Sequence, residues 1–570
     1  MKRTALRCAA TTAALTVAAA GLSATPALSA ATLVVDASES LGPVTHAASG
    51  GLYALAENER PDDSMLHPIR MRNVTQPAPG SLHEPNGQPP GGDALLVAPQ
   101  ADRAGAGVII RMPDIYPDFP YQWVSWEDWL NKVDTQVQDR LDASTVSNVE
   151  GYELWNEPGW TWDTEAAGPF NEGWVRTFER VRSQDPVTPI IGPSISSYRE
   201  DFMRSFLTHA RDTGTLPEVV CWHELQSTPE RVEQNIADYR ALERELGISP
   251  RPIAINEYGS SYDDRDKVDQ PGPVASYIAK LERGGVDSAN RAFWYEYGTV
   301  NGLVTDNDKP TGTWWLYKWY GDMTGRMVGT EPPARRGLDG FAAYDEERRA
   351  FSVVFGDQAG DNTVRVTGLE GLGRRVHLRV ESTPASGRFT HVPEPATVLE
   401  ETRAVEGGEV EVEVPGMTET SAYRLVVESA SGIDHPQRYE AENASVFRAE
   451  RLESGTASNG GYVGRIDNSG DFRTDSYVDF TVNVPESREY TMTIGYANGT
   501  GAVATHGLAY NGGPWSTVEY PATGGWGEFG GTVSTTVDLH AGYNVIRLAK
   551  GAPHFGGATG YTELDYIELD

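Results

Sequence analysis

Two glutamates stand where acid–base chemistry would need them. Glu157 closes the run Tyr152-Glu153-Leu154-Trp155-Asn156-Glu157-Pro158, and Glu257 closes Pro252-Ile253-Ala254-Ile255-Asn256-Glu257-Tyr258-Gly259. Each is delivered by a short apolar run of strand character, stopped by Pro158 in one case and broken by Gly259 in the other. One carboxylic acid that donates a proton and one carboxylate that attacks are the equipment for cleaving a glycosidic bond with retention. A lone Asn-Glu-Pro is equally well read as a capped turn; its recurrence at the tip of a later strand points to chemistry. The acid has to carry its proton near neutrality, so its pKa should be raised, and the attacking carboxylate has to stay ionised.

Something must bring these two distant residues together. Eight short apolar runs follow one another: 51–55, 69–74, 107–112, 149–155, 189–195, 218–222, 252–255 and 291–297. Between most of them lie segments with apolar residues at spacings of three and four, at 126–141, 170–181, 202–210, 231–246 and 274–284. Strands alternating with helices imply parallel strands joined by crossovers, and eight such units predict a (β/α)8 TIM barrel over 47–325, hence an α/β fold. In that fold the loops after the strands share one face. Glu157 falls after the fourth strand and Glu257 at the seventh, across the mouth from each other.

The rest of the chain narrows the reading. With 570 residues there is room for two or three domains. Lys and Arg number 47 against 81 Asp and Glu, a net charge of −34, which opposes nucleic acid and anionic membrane surfaces as partners. Lys2, Arg3 and Arg7 precede an Ala-rich apolar run and small residues near Ser29, the pattern of a secretory signal at 1–30 too short to span a bilayer. The expectation is a secreted, extracellular protein. Of the cysteines, Cys8 lies in the leader and Cys221 sits mid-strand in Val219-Val220-Cys221-Trp222, which reads as core; a thiolate zinc site is excluded.

The barrel with Trp155-Asn156-Glu157-Pro158 and Asn256-Glu257-Tyr258 resembles clan A of the glycoside hydrolases, and within it family 39 most closely. That resemblance implies Glu157 as general acid/base, Glu257 as nucleophile, and Asn156 as the residue that hydrogen-bonds the sugar's 2-hydroxyl. It implies no cofactor for catalysis. It also implies an accessory β-sandwich built from both flanks of the barrel, 31–46 and 326–430. His223 matches a His-x-Tyr pattern of the clan, but Leu225 stands where the Tyr belongs; Tyr258 or Tyr295 would have to replace it. Glu224 is a further acid expected near the mouth. Trp155, Trp160, Trp294 and Tyr295 offer aromatic faces for sugar rings, and Asp114 a hydroxyl acceptor.

After 430–436, which reads as a linker, residues 437–570 hold many short strands rich in Val, Thr and Tyr with Gly/Asn turns, the pattern of a β-jelly roll. The opening Glu440-Ala441-Glu442 and the closing Leu564-Asp565-Tyr566-Ile567-Glu568 resemble carbohydrate-binding module families 35 and 6. There the resemblance implies a structural calcium on Glu440, Glu442 and Asp565, and sugar contacts from Tyr462, Asn498 and Trp526. Glu563 departs from the usual Asn two positions before Asp565.

The resulting expectation is a secreted retaining glycoside hydrolase on plant polysaccharide, cutting arabinose- or galactose-containing side chains. A β-xylosidase is the alternative within the class, and a non-catalytic polysaccharide-binding protein the alternative outside it. Oligomeric state is not legible in the sequence.

Overall fold

The structure is a computed structural model. It describes residues 30–570 except 82, 84–90, 226–228, 260–269, 293–296, 347, 432–436, 467–470 and 551–556. The apolar leader, residues 432–436 of the expected linker, and Trp294 and Tyr295 therefore lie outside the described residues. Among the described residues no helix is long and apolar enough to cross a membrane.

Strand β1 (Thr32–Pro43) precedes the barrel. Eight parallel strands then close on themselves: β2 (Gly50–Leu52), β3 (Asn73–Pro77), β4 (Gly107–Arg111), β5 (Val149–Glu153), β6 (Ile190–Ile195), β7 (Val219–Leu225), β8 (Ile253–Gly259) and β9 (Ser288–Arg291). Closure is the parallel pairing of β9 with β2, Asn290 opposite Gly50. This is the TIM barrel the sequence predicts. Every residue of β6 and of β8 is buried, as parallel strands covered on both faces must be.

The helices are α1 (Asp63–Leu66), α2 (Ala94–Arg103), α3 (Trp126–Asp142), α4 (Pro158–Thr161), α5 (Thr164–Ala167), α6 (Phe170–Arg182), α7 (Glu200–Thr213), α8 (Val232–Glu245), α9 (Pro271–Gly284) and α10 (Gly312–Gly321). Phe170, Trp174, Thr177, Phe178 and Val181 form the buried stripe of α6. The Ser125 hydroxyl caps α3 by accepting from the Asp128 N–H at 3.1 Å. Pro271 starts α9, and Gly285, at φ +66°, ends it. Two strands depart from their expected bounds. Pro68 folds 67–69 into a 3-10 turn, so the second barrel strand begins at Asn73. The eighth begins at Ser288, directly after the end of α9.

Beside the barrel lies an antiparallel sheet of β10 (Arg326–Glu331), β11 (Asp339–Asp345), β12 (Ala350–Gly356), β13 (Gly360–Thr367), β14 (Arg375–Thr383), β15 (Ala396–Ala404), β16 (Val410–Met417) and β17 (Ala422–Ser429). Strand β1 completes it, pairing with β10 and, in parallel, with β13. The accessory β-sandwich expected from the two flanks is formed by one nine-stranded sheet folded over itself, ordered β15-β14-β17-β12-β11-β10-β1-β13-β16. The sheet curls over its own core of Val35, Val353, Phe355, Val380 and Val412, and its end strands meet where the Arg403 guanidinium donates to the Glu411 carbonyl.

The C-terminal part stacks two antiparallel sheets. One holds β18 (Gln437–Glu440), β20 (Glu450–Glu453), β21 (Gly461–Gly464), β23 (Arg488–Ala497), β26 (Gly531–Leu539) and β28 (Glu563–Leu569). The other holds β19 (Ser445–Phe447), β22 (Ser476–Val484), β24 (Ala504–Tyr510), β25 (Ser516–Tyr520) and β27 (Gly542–Lys550). Phe480, Ile494, Leu508, Val537, Ile546 and Ile567 fill the space between them.

Candidate active site

Arg111, the last residue of β4, is the hub of the barrel mouth. Alternation along β4 puts it on the same face as Ile109, which packs with Ile191, Cys221 and Ala254. Cys221 is thus core, as its sequence context indicates. The Arg111 guanidinium donates to Glu153 Oε2 at 2.7 Å and to Glu257 Oε1 at 2.6 Å, and all three side chains are almost completely buried. A buried guanidinium held by two carboxylates stays charged; the attraction of Glu153, Tyr53 and Glu257 outweighs its desolvation.

Glu157 reaches the same spot from the other side. Its backbone is left-handed, φ 54° and ψ 48°, a conformation that costs a non-glycine residue about 1–2 kcal/mol. The turn is held by the Glu157 N–H on the Ser194 carbonyl at 2.8 Å and by the Thr161 hydroxyl on the Asn156 carbonyl at 2.6 Å. Its Oε2 accepts from the Trp160 indole at 2.7 Å, and its Oε1 lies 3.0 Å from His223 Nδ1. His223 is fully buried on β7, with Glu257 Oε2 also 3.6 Å from its Nδ1. Glu157, His223 and Glu257 each present an atom within 4.8 Å of the others. The trio has the spacing of a metal site, but the Arg111 cation already occupies one oxygen of Glu257.

The electrostatics correct one expectation. Burial raises Glu157, but the hydrogen bond and charge of His223 and the Trp160 indole outweigh it, so the carboxyl lies below its ordinary range. Burial raises Glu257 above its range, and His223 and Arg111 only partly offset this. Burial lowers His223, yet the two carboxylates leave it above the usual imidazole value. The sequence argument assigned the raised pKa to Glu157. His223 stands between the two carboxylates, 3.0 Å from one and 3.6 Å from the other, so the titrations of the three groups are linked.

The other expected residues divide. Asn156 is buried with its Oδ1 unpartnered. Trp160 is 53% exposed and meets the exposed Phe119 edge-on at 5.2 Å, so it offers a face at the rim. Trp155 does not: it is buried among Tyr121, Trp129 and Trp162 and donates to Thr161, so it braces the turn rather than a sugar. Asp114 is fully buried and accepts from the Tyr53 and Tyr121 hydroxyls at 2.8 and 2.7 Å; it positions tyrosines. Tyr258 points away from Glu257, its hydroxyl on the Ala48 carbonyl and against Tyr317, so it does not replace the missing Tyr. Leu225 packs with the apolar cluster of Leu52, Tyr53, Ala292 and Tyr297. Glu224 faces outward to Trp222 and Asn235 of α8 and is no rival acid at the mouth. Sequence reasoning missed Arg111 and Glu153. Their signal was a pair of charges at the inward positions closing two adjacent apolar strands.

Residues 440–570 match the model of carbohydrate binding module family 6. Over 81% of its length the chain is 26% identical to a 3-O-alpha-D-galactosyl-alpha-L-arabinofuranosidase of Bifidobacterium longum subsp. longum, of which it covers 47%. It is 25% identical over 86% of its length to a 3-O-beta-L-arabinopyranosyl-alpha-L-arabinofuranosidase of Bifidobacterium pseudocatenulatum, covering 58% of that protein. Over most of its length the chain is thus similar to glycoside hydrolases. It spans about half the length of these curated relatives. The solved structure of N2152 from Neocallimastix frontalis superposes with a TM-score of 0.67 at 33% identity, covering 70% of this chain and all of that one.

The family 6 module carries an edge cleft of ≈ 360 Å³ lined by Arg465, Trp526, Tyr561, Thr562 and Glu563. Trp526 and Tyr561 are half exposed, and the buried Thr562 hydroxyl has no partner there. Tyr462 packs against Phe529, with Glu563 as its neighbour. Asn498 is fully buried and spends its amide on the Ala502 and Tyr520 carbonyls, so it shapes the loop and meets no ligand. Tyr561 was missed, since nothing in its local pattern separates it from the other strand-edge tyrosines.

Proposed function

We propose that the chain is an exported, retaining glycoside hydrolase that releases arabinose-containing units from plant polysaccharide side chains by double displacement. The observation that carries this is the convergence of Glu157 and Glu257 at the mouth, with carboxylate oxygens within 4.8 Å, close to the roughly 5 Å separation of retaining pairs. Arg111 holds Glu257 Oε1 and leaves Oε2 to attack the anomeric carbon. As that bond forms and the glycosidic C–O bond breaks, the leaving oxygen takes from Glu157 the proton that His223 Nδ1, 3.0 Å away, has passed to it, leaving Glu157 a carboxylate and His223 neutral. In the second step Glu257 is an uncharged ester, and Glu157, now a carboxylate, removes a proton from the attacking water. The two arabinofuranosidase relatives support an arabinose-containing unit at the cleaved bond. The basic and Ala-rich leader supports export.

In the module, Glu440 and Glu442 each keep a buried carboxylate oxygen without a partner, and Asp565 approaches the same turn through the Ser458 N–H at 2.9 Å. Burial pushes Glu440 up to about 9 and Glu442 and Asp565 up to about 7. Buried oxygens of this kind fit a hard cation, and we assign them to a structural calcium.

The test is purified protein on a panel of arabinogalactans, arabinans, xylans and aryl xylosides, with products followed by chromatography and anomeric NMR. The expected result is an arabinose-containing product released with retained configuration. Release of xylose alone supports the β-xylosidase alternative. Binding without release of any sugar supports a polysaccharide-binding protein, and an inverted first product overturns the double displacement.

A further inference from the structure

Among the described residues, the contacts of the C-terminal module with the barrel share one face. Arg448 of the module donates to the Ser147 and Val149 carbonyls at 2.9 and 2.7 Å, at the entry of β5. Arg547 on β27 binds Asp102 at 2.7 Å, just before the end of α2. Arg473 pairs with Asp185 at 2.9 Å, in the segment leading into β6. Arg70, between the 3-10 turn and β3, donates to the Thr481 carbonyl at 2.7 Å. Tyr543 binds Asp322 at the end of α10. Each barrel partner precedes a strand or ends a helix, so the contacts lie at the N-terminal face. Glu157, His223 and Glu257 lie at the opposite face.

The docking is built to be fixed. Asp102 serves both Arg547 and the Tyr477 hydroxyl, while Asp479 grips Arg547 from within the module at 2.7 Å. Arg547 is almost completely buried between these carboxylates. The face applied to the barrel belongs to the sheet of β22 and β27. The cleft of Trp526 and Tyr561 is lined by module residues alone and opens at the edge of the two sheets. Five residues of β5 at about 3.3 Å each separate the two faces by roughly 17 Å before any loop is added.

We infer that the module is a fixed anchor on the barrel floor that holds a different glycan strand from the one cut at the mouth. This rests on the proposed hydrolase reading for the mouth and on the module cleft as the glycan contact. One short oligosaccharide cannot occupy both sites, so a bound module leaves the mouth facing outward to neighbouring strands. Two sites facing apart make the protein divalent toward polymer.

The experiment uses the full chain with an arabinogalactan as probe. Glu257→Ala protein mixed with the polymer is expected to cross-link it, seen as a rise in light scattering, and Trp526→Ala should abolish that rise. Trp526→Ala alone should lose retention on insoluble polymer, and its hydrolysis of insoluble polymer should fall at least fivefold more than its hydrolysis of short soluble oligosaccharides. A drop of tenfold or more on those oligosaccharides means that one strand threads both sites and overturns the inference. So does a failure of the parent chain to be retained on, or to cross-link, polymer. A parent that cross-links polymer yet releases no sugar contradicts the hydrolase reading while leaving the divalent arrangement standing. Docking is read separately: Asp102→Arg with Arg473→Glu should split one melting transition into two and enlarge the molecule in X-ray scattering, and no change in either overturns a fixed anchor.

Discussion

Glu153 is fully buried, and it holds the guanidinium that holds the proposed nucleophile. Replacing Glu153 by Gln halves the charge on Arg111's partners and loosens its aim; a misplacement on the order of 1 Å costs about 10²-fold in turnover. Steady-state kinetics on any productive glycoside should therefore show kcat falling by that order with KM little changed. His223 tests the shared proton. Its positive charge lowers both carboxylates, so Glu157 and Glu257 must both rise when Gln replaces it. Loss of ionised Glu257 sets the acid limb of kcat/KM and loss of the proton on Glu157 the alkaline limb, so both limbs should move to higher pH. A profile that only falls in height would contradict the shared proton. At this scale the glutamates were legible because each ends an apolar run. The roles of Trp155, Asp114 and Tyr258 were not, because which way a side chain points at a strand end depends on turns such as the left-handed one at Glu157.

The elements hold these groups by close contact. Gly192 of β6 lies under Trp174 of α6, and a Cβ there would come within 2.4 Å of the indole. Gly192→Ala forces the helix outward and should cost about 1–3 kcal/mol, read as a lowered denaturation midpoint with an unchanged slope. Because β6 carries Ser194, whose carbonyl receives the Glu157 N–H, the same change should lower kcat. Helix stripes such as 170–181 were readable directly, since their apolar residues recur at three and four. The second barrel strand was misplaced because Ile69, although fully buried, belongs to the turn made by Pro68. Burial alone does not separate strand from turn.

Over the whole molecule, the alternation of strand and helix made the barrel foreseeable. That β1 joins strands some three hundred positions later was implied by the family resemblance, but the order of strands in the one curled sheet was not legible, since strand pairing at long range leaves no local pattern. The docking of the module was equally invisible, resting on scattered arginines such as Arg448 and Arg547. Calcium on Glu440, Glu442 and Asp565 would stabilise this assembly by mass action, about 2.7 kcal/mol at a hundred times Kd. Calorimetry with a chelator should therefore lower the melting temperature of the module, and added calcium should restore it. A chelator-insensitive melt would remove the ion from the account.

The central claim is that Glu257 forms a bond to the sugar while Glu157 moves the proton. Glu257→Gly should be inactive, and azide should restore turnover by entering the vacated space, yielding a glycosyl azide of configuration opposite to the substrate, assigned by NMR. Activity retained without azide, or an azide product of unchanged configuration, would contradict it.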